Sequence, residues 1–333
     1  MSQSVSTFES PEPCDEQRPA RRRGSSRSAR ALRFIAAILP AFALTACAAA
    51  LNAVTSGAGY DVVRNVPYGD GERARLDLYI PSRTTPTTPV LVFVHGGSWD
   101  TGSKDIYLFV GQSLASEGFI VAIPNYRLYP QVRFPAFVED AAKAVVKVER
   151  MMDGGVYGVP GGDHPLFLMG HSAGAEIAGL LATDGRYLKA AGGSIRSLAG
   201  FIGLAGPYDF LPLTEERYKR IFPEVSREAS QPVNFVSGDE PPMLLIHGAD
   251  DETVDPKNTL SLAEKARAAG VFVRDRIVDG VDHVGAITAL ATAIPFNDET
   301  IRRDIVAFVK ARSGGDGDRS ERASEAGQRE TTR

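Results

Sequence analysis

Leu166-Phe167-Leu168-Met169-Gly170-His171-Ser172-Ala173-Gly174 sets four apolar residues against a serine flanked by glycines, and small residues continue from there to Ala182. A solid apolar run of this length suits a central parallel strand covered on both faces. The glycines two places either side of Ser172 lack Cβ, so the chain can turn sharply from strand into helix. That turn would hold the hydroxyl at the mouth of a site. The N-terminus of the following helix favours negative charge developing there. Glycine and serine are common in turns, so the pattern carries weight only because it follows LFLM directly.

Working outward, the same alternation recurs. Arg73–Ile80 (RARLDLYI) alternates polar and apolar residues, which predicts a half-buried strand near a sheet edge. Val90–Val94 (VLVFV), Phe119–Ile123, Ala199–Leu204 and Pro242–Ile246 read as buried strands, and Val271–Ile277 as another. Between them Ile106–Ala115, Phe137–Met151 and Lys257–Ala269 read as helices, and Glu299–Ala311 closes the series as an amphipathic helix. The class is α/β with a mostly parallel central sheet and helices on both faces. Such sheets place their chemistry at the carboxyl ends of the strands, so polar motifs should follow the apolar runs.

VLVFV runs straight into His95-Gly96-Gly97-Ser98-Trp99. A serine that attacks a carbonyl needs N–H donors for the oxyanion. Ala173, just after Ser172, is expected to supply one, with Gly97 and Ser98 supplying the others. HGGSW resembles the oxyanion motif of hormone-sensitive-lipase-like and related bacterial carboxylesterases and of kynurenine formamidases. Asn125-Tyr126-Arg127-Leu128, with Phe134-Pro135-Ala136-Phe137 after it, is similar to the same esterases. The resemblance spans roughly residues 60–311 and implies an α/β-hydrolase fold with a serine nucleophile. It departs from the lipase-like HGGG form at Ser98 and Trp99, so that family's substrate preferences do not carry over.

Five histidines permit elimination. His95 belongs to the oxyanion loop, and His171 should point away from the site. His164 lies in a glycine-rich loop, and His247 is expected to brace its own loop by hydrogen bonds. His283 follows every candidate acid, in the chain order serine, acid, histidine, and is the expected general base. The loop Gly248–Val254 offers Asp250 and Asp251, with Asp255 beyond it, as the group that would orient the imidazole. In the similar esterases this loop reads H-G-x-x-D-x-x-V, which implies Asp251. Asp209 is expected to fix its strand-end loop, with contact to substrate as the other reading, and Arg127 to make a structural ion pair, with Asp140 as a candidate partner, rather than to anchor substrate.

Residues 210–238 interrupt the alternation and carry several large apolar side chains. With Trp99, and with Phe210 lining substrate, they would form a small cap over an acyl pocket; the competing reading is plain packing on the core. The expected function is serine carboxylesterase action on small to medium esters through an acyl-enzyme. An arylformamidase-like amide hydrolase uses the same groups, and a non-catalytic envelope-anchored scaffold is the reading from another class.

The two ends differ from this middle. Residues 1–46 join an arginine-rich leader to the apolar run Phe34–Ala46 and Leu44-Thr45-Ala46-Cys47, which resembles a lipoprotein signal with Cys47 as the lipidated residue. Residues 47–59 read as a tether, 60–312 as one α/β-hydrolase domain, and 313–333 as a disordered tail with no aromatic or branched aliphatic residue. The expected location is the bacterial cell envelope, with a lipid anchor as the membrane link. A formal net charge of -4 on 333 residues argues against a nucleic-acid partner. No histidine or carboxylate cluster has metal-ligand spacing, and the glycine-rich loops lack a P-loop lysine, so neither metal nor cofactor is expected.

Overall fold

Eight strands form one sheet in the order β1-β2-β4-β3-β5-β6-β7-β8. They are β1 (Tyr60–Pro67), β2 (Arg75–Pro81), β3 (Val90–Val94), β4 (Ile120–Pro124), β5 (Leu166–His171), β6 (Leu198–Leu204), β7 (Met243–Gly248) and β8 (Val273–Val278). Only β1–β2 and β2–β4 pair antiparallel; every pairing from β4 through β3 to β8 is parallel. The structure is a computed structural model and describes residues 50–294 and 299–314. The expected signal segment with Cys47, and residues 315–333 of the expected tail, lie outside these.

The parallel strands are apolar throughout because both faces are covered. In β3, Val90, Val92 and Val94 face one core layer while Leu91 and Phe93 face the other. In β5, Leu166 and Leu168 join the first layer, with Phe167 and Met169 in the second. Helices α2 (Ala136–Gly154), α3 (Ala173–Thr183) and α6 (Lys257–Ala268) contribute to the first layer, and α1 (Leu108–Ala115), α7 (Gly285–Thr288) and α8 (Thr300–Ser313) to the second. After β3 the chain moves to β4 on one side, then crosses back to β5 on the other. The strand order therefore switches at β3, and the loops leaving β3 and β5 diverge around a crevice, the place where open α/β sheets bind ligands.

Four features differ from the sequence reading. Strand β1 has no counterpart in it: YDVVRNVP mixes polar and apolar residues, and its register slips between Val63 and Val66, with Asn65 at φ 58°. With β1 outside it, β2 is not half-exposed; Leu76 to Pro81 are all buried. Even Asp77 is inside, because Lys104 Nζ meets its Oδ1 at 3.0 Å and the Asn65 N–H donates to it at 2.8 Å. Residues 50–54, expected within the tether, form a helical turn docked by Asn52. Its Oδ1 accepts from the Phe109 N–H at 3.1 Å, and Leu51 is buried. A short helix α4 (Gly185–Ala191) follows α3 and is also absent from the sequence reading.

Between β6 and β7, residues 210–238 form α5 (Glu216–Ile221) and three short 3-10 turns. Both expectations for this segment meet here. Ile221 and Phe222 sink fully into the core, whereas Phe210, Leu213 and Tyr218 line a cleft. Arg217 Nε donates to Asp100 Oδ2 at 2.6 Å, clipping the segment to the loop after β3.

Candidate active site

Ser172 stands between β5 and α3 with φ 56° and ψ -128°. A non-glycine residue holds that left-handed conformation only when its surroundings impose it. Its N–H donates to the Leu204 carbonyl at the end of β6 at 2.9 Å, and its carbonyl accepts from Ala175 at 2.8 Å. Gly174 permits the fit. A Cβ there would collide with the main-chain carbonyls of Val94 and His95, so α3 abuts the end of β3 only because that side chain is missing.

Ser172 Oγ lies 2.9 Å from His283 Nε2, and His283 Nδ1 lies 2.7 Å from Asp251 Oδ2. An ionised carboxylate only accepts, so Nδ1 carries the imidazole proton and Nε2 accepts from the serine hydroxyl. Burial alone would raise the Asp251 pKa. Hydrogen bonds from His247 and His283 and from the Val254 N–H outweigh it and hold the carboxyl well below the usual carboxylate range. Asp251 Oδ1 accepts from the N–H groups of Thr253 at 2.8 Å and Val254 at 2.9 Å. This second oxygen is what separates Asp251 from exposed Asp250 and from Asp255, which accepts from the Lys257 N–H at 2.9 Å.

The loop after β3 turns through three successive residues of positive φ, Gly97 (122°), Ser98 (50°) and Trp99 (61°). The Gly97 carbonyl accepts from Asp100 and Thr101, and a Cβ at Gly97 would run into the Thr101 carbonyl. Tyr126 Oη donates to the His95 carbonyl at 2.7 Å, and the Tyr126 and His95 rings stack at 4.4 Å. His95 is fully buried, and burial pushes its pKa down to about 4. Ala173 is the first residue of α3, so its N–H has no acceptor within the helix. Ser98, Trp99, Phe210 and Ser172 share one cleft of about 290 Å³. The structure thus joins Ser172, His283 and Asp251 in one hydrogen-bonded chain and sets Ser98, Trp99 and Phe210 in the cleft with Ser172, while Gly97 and Ala173 adjoin Ser98 and Ser172 in the chain.

Three contacts lie beyond the sequence reading. His171 does not point away: its ring packs on that of His283 with centroids 4.9 Å apart, and its Nε2 donates to the His283 carbonyl at 2.9 Å. As the last residue of β5 it is buried under the loop that carries His283. Burial, then the neighbouring His283, push its pKa down to about 3. His247 braces its loop as expected, through the Val254 carbonyl at 2.9 Å and Thr259 Oγ1 at 2.8 Å. Its Nε2 also comes within 3.1 Å of Asp251 Oδ2, giving that oxygen a second histidine. The third contact joins Trp99 to Glu176; its sequence signal is a lone carboxylate in the apolar helix AGAEIAGLLA.

Arg127 and Asp209 each have a structural partner, and Asp209 also lines the cleft. Arg127 grips Asp140 through Nε and a terminal nitrogen, each at 2.7 Å. Asp209 accepts from Ser261 Oγ at 2.6 Å. Among the described residues, no group of three or more His, Cys, Asp or Glu side chains is placed to hold a metal ion.

The model of one protein family, described as BD-FAE, matches residues 76–266. That span starts in β2, takes in the loop after β3, Ser172, residues 210–238 and Asp251, and stops in α6 before His283. The chain belongs to the BD-FAE family. This BD-FAE chain is 31% identical over 246 residues to a probable isoprenylcysteine alpha-carbonyl methylesterase, ICMEL1, of Arabidopsis thaliana, covering 67% of this chain and 51% of the relative. It is 33% identical over 150 residues to kynurenine formamidase of Salmo salar, 45% of this chain and 47% of that one. The chain spans between about half and two thirds of the length of the plant methylesterases it matches. Among solved structures, an inhibited esterase B from Lactobacillus rhamnosis superposes with a TM-score of 0.68 at 20% identity, over 87% of this chain and 99% of that one. The fold of this BD-FAE member is accordingly that of the α/β-hydrolases.

Proposed function

We propose that the protein is a serine carboxylesterase that hydrolyses small to medium esters through an acyl-enzyme. The observation that carries this reading is the hydrogen-bonded chain Ser172–His283–Asp251, with links of 2.9 and 2.7 Å, set at the strand ends around the crevice. His283 Nε2 takes the Ser172 proton as Oγ attacks the ester carbonyl. Asp251 stabilises the imidazolium that results and keeps its tautomer. The N–H groups of Gly97, Ser98 and Ala173 take the oxyanion. His283 then gives its proton to the leaving alcohol, and water, deprotonated by the same imidazole, releases the acid. Relatives named as esterases support the ester as substrate. The same groups would cleave a formamide, and the likeness to kynurenine formamidase makes that the second reading.

The test is hydrolysis of p-nitrophenyl acetate, butyrate and octanoate and of an N-formyl anilide by the full chain, beside Ser172→Ala. The variant is expected to lose about 10⁶ in kcat on the ester, the scale of triad removal. Turnover of the formamide alone would replace the first reading with the second, and turnover of neither, in folded protein, would sink both. We also propose that Cys47 carries a lipid anchor at the bacterial cell envelope. Metabolic labelling with palmitate should tag the wild type and not Cys47→Ala, and an untagged wild type would refute the anchor.

A further inference from the structure

Trp99 is the only tryptophan of the chain and lines the same cleft as Ser172. Its backbone has φ 61°, a value that a bulky residue adopts only when its surroundings compel it. The Tyr129 N–H donates to its carbonyl at 2.9 Å. Its ring meets Phe222 edge-on with centroids 4.8 Å apart, and Tyr218 edge-on at 5.9 Å. These edge-on contacts set the angle between the rings, but apolar burial is non-directional and does not fix which way the Nε1 edge faces.

One contact fixes the direction. Trp99 Nε1 donates to Glu176 Oε2 at 2.9 Å. Glu176 lies one helical turn after Ser172 in α3, is fully buried, and its other oxygen meets no protein partner. Burial pushes its pKa well above the ordinary carboxyl range. A leucine or methionine would fill the same interior position without burying a half-satisfied carboxyl. What the carboxyl does that they would not is hold the indole.

We propose that Glu176 is a positioning residue that locks the Trp99 indole as a wall of the acyl side of the cleft and so selects which acyl chains reach Ser172. The proposal rests on the esterase reading and names its specificity determinant. Trp99 touches the cleft; Glu176 acts only through it.

The experiment compares full-length wild type, Glu176→Gln, which keeps a carbonyl acceptor for Nε1, and Glu176→Leu, which removes it. The readouts are kcat/KM on p-nitrophenyl acetate and octanoate and the fluorescence of the single tryptophan. With the wall released, the octanoate-to-acetate ratio of Glu176→Leu should rise more than fivefold, mostly through KM, and the emission should shift. Glu176→Gln should restore both to within twofold of wild type. A folded Glu176→Leu whose ratio moves less than fivefold overturns the proposal, as does a Gln variant that behaves like the Leu variant. If Glu176→Leu does not fold, ¹⁵N-labelled wild type decides. Its one indole N–H should be protected from exchange and move in Glu176→Gln; an indole exchanging at the rate of a free one overturns the contact. Wild type that cleaves no ester would overturn the activity reading and the acyl selection with it, while the exchange measurement still judges the contact.

Discussion

The two walls of the cleft are built on different principles. On the strand-end side, Ser172, the turn at Gly97–Trp99 and the loop of Asp251 are held by main-chain hydrogen bonds and by backbone packed against backbone, as where α3 meets β3 at Gly174. Across the cleft, the Trp99 indole and residues 210–238 are held mainly by side chains, the indole by Glu176 and by the Phe222 and Tyr218 rings and Arg217 by Asp100, with main-chain bonds to the body at Ile221 and Val233. Main-chain bonds fix atoms to fractions of an ångström, which reacting groups need. Side-chain packing can be exchanged for other packing at little cost, which suits a wall that need only fit a substrate. Changes on the first wall should therefore cost rate, and changes on the second should alter selection.

After loss of the nucleophile itself, the largest effect should come from Asp251→Asn. An amide in place of the carboxylate can donate to His283 Nδ1 and turn the wrong tautomer to Ser172, so kcat should fall by about 10⁴ with KM little moved. A loss below tenfold in steady-state kinetics would mean that His283 is oriented by something else, with His171 the first suspect.

Acid should attack the same wall next. His95 and His171 are fully buried there, with pKa values pushed down to about 4 and about 3 from 6.5. Below about pH 6.5 the unfolded chain binds protons that the native state refuses. Stability is therefore full above that pH and is lost as pH falls toward 4, at up to about 1.4 kcal/mol per pH unit for each histidine. Residues 210–238 contain no histidine. Urea melts from pH 7 to pH 4.5 should show this fall, and hydrogen exchange should place the early openings at β5 and the loop after β3. A flat profile would remove the distinction between the walls.

The smallest effect belongs to the second wall. Arg217 and Asp100 are both partly exposed to solvent, and such pairs are worth about 0–1 kcal/mol. Arg217→Gln should leave the melting temperature within a few degrees and change KM for long acyl esters more than for acetate. An equal loss of kcat on both would show that this segment shapes the reacting geometry after all.

How far the sequence discloses each wall follows from the same contrast. The nucleophile turn is legible because its cause is local: an apolar strand, two glycines, and a helix start within nine residues. The turn at Gly97 is legible for the same reason, and His283 follows from chain order. Asp251 needed a family pattern, because Asp250 beside it differs only in what the folded loop presents to it. The contact of His171 with the His283 loop joins residues far apart in the chain and leaves no local trace, while that of His247 with Asp251, four residues on, appears only once the loop between them has folded. Strand β1 hides behind a slipped register. Residues 210–238 have no period for a sequence reading to catch, since each large side chain finds its place from the core beneath it. Glu176 lies between these cases: a carboxylate in a small apolar helix signals that something must satisfy it, without saying what.

Among the described residues no strand pairs beyond β1 or β8, and these open edges carry a consequence for how copies of this chain meet in concentrated solution. At one end β1 interrupts its ladder between Val63 and Val66, with Asn65 turned left-handed. At the other, β8 sets exposed Arg274 and Arg276 on either side of Asp275, and Arg276 is tied to Asp304 of α8 at 2.5 Å. A foreign strand seeking to extend the sheet would meet a broken rung at one border and desolvated charge at the other. Both are ways in which natural sheets resist edge-to-edge aggregation. The molecule can thus expose its strand ends to substrate while denying its strand sides to its neighbours.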